Sequence, residues 1–258
     1  MTADTAQQTV LFFGFASLRM LALVIAAPPF AHPAFPLRLR VGLALAASLV
    51  IAHPPAAGVP ALDGGIGSLV VAGLSEIGVG AALGFAVRLA FAAMALCGEF
   101  VSVQSGIGAA TVLDPSSGAA SGVISVLFEL VALIVFLALD GHHAVFRAIA
   151  LSFERFPVAS GGLGPDSFAG LVGLGGAIFE LAARLAAPVT AATLLSSVTL
   201  GVLGRLVPQL NLMMLQLPAH VALTFGLLAL GANAFSASIA RLLGGFLDRA
   251  VATLFGVG

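Results

Sequence analysis

The stretch GEFVSVQSGIGAATVLDPSSG at residues 98–118 restricts the folds open to this chain more than any other. Apolar, helix-like sequence carrying Glu99 gives way there to a Gly/Ser loop closed by Asp114-Pro115, and apolar sequence resumes beyond it. Irregular backbone leaves N–H and C=O groups unpaired, so at membrane depth it is tolerated only when buried in protein or lining a watery cavity. The surroundings of the loop do read as membrane sequence. The chain is 60% hydrophobic and 8% charged, whereas a soluble domain carries about 25% charged residues. So few charges cannot cover a water-facing surface. A polar, glycine-rich break inside such a chain is therefore the candidate working part.

The remaining composition excludes several function classes. A net charge of −1 offers no polybasic patch for nucleic acid or an anionic surface. All ten basic residues are Arg. The single Cys97 rules out an internal disulfide and reads as a small core residue. The N-terminal MTADTAQQTV lacks the positive region of a cleavable signal peptide, so the first apolar stretch is expected to stay in the mature protein. No Ser-His-Asp set and no phosphate loop supports an enzyme, and no cofactor is expected. His142-His143 follows Asp140-Gly141 without a metal-ligand spacing such as HExxH. A polar helix end is the expected reading there, and no metal.

Apolar stretches fall at about 10–30, 37–52, 66–97, 121–139, 168–203 and 215–243, which predicts an all-α integral membrane protein. A crossing helix needs about 20 residues, so 37–52 is short. A helix over 66–97 would reach about 48 Å at about 1.5 Å per residue, and 168–203 is longer still. Either such stretches bend (Gly73, Gly78, Gly80 and Gly84 could supply a bend) or they are not ordinary lipid-facing spans. Connections are expected at 32–38, 53–65 and 156–167, each rich in Pro or Gly. The Arg pairs at 38 and 40, 147 and 155, and 241 and 249 favour neither orientation. No strict internal repeat is present.

Several polar residues interrupt the apolar stretches. Glu76, Gly80, Gly84 and Arg88 recur every four residues, which on a helix makes one slowly rotating ridge. Small residues at that spacing let a second helix come close. Glu99 lies about three turns beyond Arg88, too far along the axis to pair with it. Glu180 and Arg184 stand at i, i+4 with the acid first, the favourable order for a helical ion pair. Glu129 is alone in VISVLFELVALIVFLAL and needs a distant partner. These charges read either as an ion or proton path or as glue between helices or subunits. No ladder of acids and His follows one face, as a relay needs.

VPQLNLMMLQLP at 207–218 cannot run as one unbroken lipid-exposed helix, because Pro208 and Pro218 frame Gln209, Asn211 and Gln216. Gly118 and Gly122 form a GxxxG just after Asp114-Pro115, so the central loop leads toward a close helix contact.

The residues then match a known pattern. GEFVSVQSGIGAATVLDPSSG, Phe128, Leu137, the GHH of 141–143 and SFERFP at 152–157 resemble the signature of the FliR family, a membrane subunit of the flagellar type III protein-export gate with a counterpart in virulence injectisomes. Arg19, Pro28-Pro29-Phe30, Pro36 and Arg40 resemble its N-terminal spacing. APVTAATLLSSVTLGVLGRLVPQLNLMMLQLP at 187–218 resembles its C-terminal motif, with the Arg-x-x-Pro-Gln-x-Asn core at Arg205, Pro208, Gln209 and Asn211, followed by Pro218.

This resemblance implies bent helical hairpins packed in a hetero-oligomeric channel rising from the bacterial inner membrane, within the flagellar basal body. It implies the P and Q membrane subunits as partners, with the FlhA and FlhB membrane proteins, membrane lipid and unfolded secreted substrates, and no nucleic acid. Residues 1–160 are similar to the P subunit, with a plug loop at 104–118, and 161–258 to the Q subunit hairpin. The plug implied is Gln104, Gly106, Ile107, Gly108, Ala109, Val112, Leu113, Asp114 and Pro115. Ala109 stands where the family commonly has Phe, and Val112 where a second aromatic sometimes occurs, so sealing would fall to Ile107, Leu113 or a partner. Gln216 and Ala219 depart from the usual Gly and Lys. The expected function is a non-enzymatic gate subunit for protein export. A stand-alone small-solute transporter or ion channel built on Glu76, Arg88, Glu99 and the Glu180/Arg184 pair is the alternative from another class, and a scaffold whose charges only hold subunits together is the third.

Overall fold

The computed structural model describes residues 3–31, 35–51, 65–107, 122–207 and 212–255, among which there are nine helices and no strand. They are α1 (Ala3–Ala26), α2 (Pro28–Ala31), α3 (Leu37–Ile51), α4 (Ile66–Ser105), α5 (Val123–Ala138), α6 (Gly141–Arg155), α7 (Pro165–Leu206), α8 (Leu212–Leu230) and α9 (Ala232–Phe255). The protein is an all-α membrane protein. By length and composition α1, α4 and α7 can each cross a membrane, and α5 with α6 and α8 with α9 form two further candidates as bent pairs.

Local chemistry explains the boundaries. Pro165 opens α7 at the first helical position, where a missing N–H costs nothing, and Asp166 adds negative charge to the first turn. The connection expected at 156–167 is therefore shorter, ending at Gly164, and it turns through Ala159 and Gly161, both with positive φ. The connection expected at 32–38 ends before Leu37; residues 32–34 lie outside the described residues, as does most of the 53–65 loop.

Each of the two overlong apolar stretches runs as one continuous helix, the second with Pro188 inside it. The first is one helix of 40 residues and the second one helix of 42, about 60 Å each at about 1.5 Å per residue. Within α4, Gly80, Gly84 and Gly98 serve close packing, while Gly78 faces open space. Its most apolar window is 67% buried inside the protein, against 22% for that of α7. For α4 this settles the question in favour of protein rather than lipid as the neighbour.

Two compact units interleave along the chain. The first comprises 1–89, 140–175 and 245–258. Its core gathers Phe12, Phe15, Ala16, Ala72 and Val158, and Phe156 packs on Phe255 with ring centroids 5.9 Å apart. The second comprises 90–139 and 176–244. There Phe91 meets Phe136 and Phe128 meets Phe235, edge to face at 5.5 and 5.1 Å, a geometry worth about 0.5–1.5 kcal/mol beyond the buried area. Gly98 lets α4 approach α5 so closely that a Cβ there would lie 2.5 Å from Ser125 Cα.

Candidate functional site

The central loop leaves α4 at a capped end. Ser105 is fully buried and its hydroxyl donates to the Ser102 carbonyl at 3.0 Å. Gly106 follows with φ +75, and its N–H donates to the Val103 carbonyl at 3.2 Å. A left-handed residue just past a helix end is the usual glycine stop. A Cβ on Gly106 would lie 2.6 Å from Cδ1 of Leu217 on α8. The left-handed conformation at Gly106 favours glycine there, with the Leu217 side chain beside it. Ile107 is half-buried beyond it.

A line of polar contacts runs beside this cap through α7 and α8. Thr193 Oγ1 lies 3.4 Å from Gln104 Oε1 while bonding the Val189 and Thr190 carbonyls at 3.0 Å. One turn on, Ser197 Oγ lies 3.3 Å from Nε2 of His220. Thr193 and His220 are both buried, and so are Ser102 and Thr224, whose hydroxyls have no partner among the described residues. On the α5 side, the Ser125 hydroxyl donates to Glu99 Oε2 at 2.9 Å. Gly122 fits against the same pair of helices: a Cβ there would lie 3.3 Å from Ser102 Oγ and 3.4 Å from Glu99 Oε2. Gly122 therefore does mark a close approach. Gly108, Ala109, Val112, Leu113, Asp114, Pro115 and Gly118 lie outside the described residues.

The first unit holds a buried ionic knot. Arg19 Nε donates to Glu76 Oε2 at 2.6 Å with both side chains fully buried. The other guanidinium nitrogens donate to Ser152 Oγ at 3.0 Å and to the Phe156 carbonyl at 2.9 Å. The ring of Phe153 lies 4.4 Å from Arg19 Cζ. Glu76 Oε1 accepts the Ala159 N–H at 3.0 Å. A buried pair survives desolvation when its remaining polar groups find partners, and here each guanidinium nitrogen and each Glu76 carboxylate oxygen has one. Glu76, Gly80 and Gly84 do form a packing ridge. A Cβ on Gly80 would collide with the Arg19 carbonyl, and one on Gly84 would lie 2.5 Å from Ala26 Cβ. Arg88, at the far end of the ridge, is exposed.

Sequence reasoning did not see the Arg19–Glu76 pair. Its signal was present: two isolated charges of opposite sign, each in an apolar stretch, each needing a partner. Glu180 and Arg184 pair as their spacing predicts, at 2.6 Å, but on a largely exposed surface. Glu129 is exposed with no partner among the described residues. Arg205 is exposed in the last turn of α7, and Pro218 sits inside α8. Pro208, Gln209 and Asn211 lie outside the described residues.

Asp140, in left-handed conformation at φ 55, opens α6 with its carboxylate 3.4 Å from His143 Nδ1 and 4.0 Å from His142 Nε2. One ligand atom from each of the three falls within 4.8 Å of the others, so the adjacent His converge on one carboxylate. A ligating His normally gives its other nitrogen an outer partner, and His142 Nδ1 has none. The cluster reads as a polar helix start.

Comparison with known proteins adds the last observation. The model of bacterial export proteins, family 1, matches residues 10–246. The flagellar biosynthetic protein FliR of Pectobacterium carotovorum subsp. carotovorum is 32% identical over 216 residues, covering 83% of this chain and 80% of that protein. That of Escherichia coli (strain K12) is 31% identical over 214 residues, covering 82% and 80%. That of Bacillus subtilis (strain 168) is 30% identical over 215 residues, covering 81% of each. The chain belongs to the FliR family of bacterial export proteins.

Proposed function

We propose that this protein is a non-enzymatic subunit of the flagellar type III export gate, and that its segment 104–115 closes the channel at rest. Family membership makes it a membrane component of the flagellar export apparatus, associated with other export components. The finer reading places it in the inner membrane of the basal body. Residues 1–160 would act as a P-like part and 161–258 as a Q-like hairpin beside the P and Q subunits, with FlhA and FlhB nearby. Unfolded secreted proteins are the cargo. The energy comes from other components, since no phosphate loop is present.

The observation that carries the plug reading is the end of α4. A long, protein-buried helix stops at a left-handed Gly106 beside Leu217, and in sequence a Gly/Ser segment follows. A polar segment leaving a helix end among apolar helices can block a passage without opening into lipid. The solute-transporter alternative loses its centre, because Glu76 is committed to Arg19 and the Glu180–Arg184 pair is exposed on α7. Deleting 106–113 is expected to raise ion leakage through the assembled gate in liposomes. Leakage equal to that of the intact gate, at equal assembly, would overturn the plug.

A further inference from the structure

We propose that the cavity between α7 and the α8–α9 bend binds one anionic phospholipid, with the phosphodiester held by Arg241 and an acyl chain on the apolar wall. The site is independent of the plug reading. All of it lies within the second unit. The cavity measures about 520 Å³. Leu185, Leu227 and Phe235 give it an apolar wall, and Arg184, Ser238 and Arg241 bring polar groups to it. None of its lining residues is acidic.

The charges around the cavity call for one anion. Arg184 is answered by Glu180 at 2.6 Å, so that pair is neutral. Arg241 is not answered: its Nε and Nη2 reach only the Ala237 carbonyl and Ser238 Oγ, each at 3.4 Å and each on its own helix. No carboxylate pairs with it among the described residues. By length and composition α7 can cross a membrane, and so can α8 with α9 as one span bent by 73°. A guanidinium beside hydrocarbon is costly unless an anion or water meets it, and its planar fork matches the oxygens of a phosphate. Basic pockets between membrane helices take anionic headgroups for this reason. One positive charge stands uncompensated, and the single negative charge of a phosphodiester cancels it.

Shape selects a lipid over a soluble anion or a partner helix. A free phosphate would answer Arg241 and leave the apolar wall bare. One turn of an α-helix fills about 400–600 Å³, at about 10–12 Å across and about 5.4 Å of rise. The cavity would therefore take a single turn, too little for helix packing, whereas a flexible acyl chain can follow it. A phospholipid carries the anion and the apolar filler in one molecule. The first unit supplies a contrast. Its own apolar cavity, of about 280 Å³, is lined by both Arg147 and Asp248, whose charges cancel, so it calls for no anion.

The test measures lipid retained by the full chain in detergent, by native mass spectrometry, with phosphatidylglycerol and phosphatidylcholine of the same acyl chains as probes. The site predicts one molecule of phosphatidylglycerol held several-fold more tightly than phosphatidylcholine. Arg241→Gln should bring phosphatidylglycerol down to the phosphatidylcholine level. Arg249→Gln, which removes an equal charge from α9 outside the cavity, should leave it unchanged. Ala234→Phe, which fills the cavity without altering a charge, should lower phosphatidylglycerol retention several-fold. Equal retention of the two lipids by the parent overturns the proposal, and that comparison needs no variant to fold. A preference that survives Arg241→Gln or Ala234→Phe overturns it too, as does a loss in Arg249→Gln as large as that in Arg241→Gln. Glycerol phosphate displacing the lipid at equal concentration overturns it in favour of a soluble anion. In the assembled gate, phosphatidylglycerol carried through purification by the parent and lost with Arg241→Gln supports the lipid. A parent gate free of it, beside an isolated chain that binds it, assigns the cavity to another subunit and overturns the lipid.

Discussion

Helices α4 and α7 invite comparison because they are nearly the same object in sequence. Both are about 40 residues rich in Ala, Leu, Val and Gly, and each carries Glu and Arg within its apolar sequence, Glu76 being the fully buried acid of α4 and Glu180 the acid of α7. Their environments are opposite. The most apolar window of α4 is 67% buried by its own chain, that of α7 only 22%. In α4 the acid finds its partner on another helix, Arg19, in a dry knot; in α7 it pairs with its own neighbour in the open. The same holds for glycine: Gly80, Gly84 and Gly98 touch backbone or Cβ atoms of a neighbouring helix, while Gly173, Gly175, Gly176 and Gly201 face open space. Apolar length makes a helix suited to a dry place; what then fills that place is a separate matter. On the export-gate reading, the bare face of α7 is where other subunits or lipid complete the structure.

The comparison can be broken most forcefully at the knot. Glu76→Ala is expected to destabilise the isolated chain by about 3–5 kcal/mol, the cost of stranding a buried charge, read by thermal unfolding in detergent. Arg19→Met with Glu76→Leu should recover much of that loss, because the two charges leave together. If the single variant unfolds at the parent temperature, the knot is not what orders α4.

Glycines give the next largest contrast. Gly80→Ala should cost about 1–3 kcal/mol by overpacking. Gly176→Ala should be neutral or stabilise by up to about 1 kcal/mol, since it removes only the helix penalty of glycine. Equal effects at the two positions would erase the distinction between the helices. A Gly176→Ala variant that is stable alone yet co-purifies less of the other gate subunits would sharpen it, placing a close protein contact on the bare face.

The smallest effect belongs to the exposed pair. Glu180→Gln should change the stability of the isolated chain by no more than about 0.5 kcal/mol. A change of several kcal/mol would mean that the pair is buried in the chain on its own, contrary to its geometry.

Much of this was legible before any coordinates. Charge scarcity announced a membrane protein, the Pro/Gly-rich 156–167 announced a connection (three residues shorter at its end than expected), and the Glu180–Arg184 spacing announced its pair. Gly122, read with Gly118 as a GxxxG, lies where a Cβ would come 3.3 Å from Ser102 Oγ, while Gly118 lies outside the described residues. Three things were not legible. Gly106 in sequence is one glycine among several; only the structure shows its left-handed φ and the Leu217 side chain, more than a hundred positions away, beside it. Thr193, Ser197 and His220 are unremarkable polar residues of the C-terminal stretch until α7 and α8 place them beside the end of α4. The overlong stretches left a bend and a protein neighbour equally open, and burial alone separated them.

What the sequence determined by itself is what each residue contributes singly: too few charges for water, apolar runs of helical length, breaks where Pro and Gly cluster, and the ordered motifs of the FliR family. What only the tertiary structure decided is which residues meet. That Arg19 answers Glu76, that Gly80 abuts the Arg19 carbonyl, and that Leu217 caps Gly106 all depend on the rotation and register of helices far apart in the chain. Helical periodicity places a side chain on a face, but the partner of that face is set by packing among many helices at once.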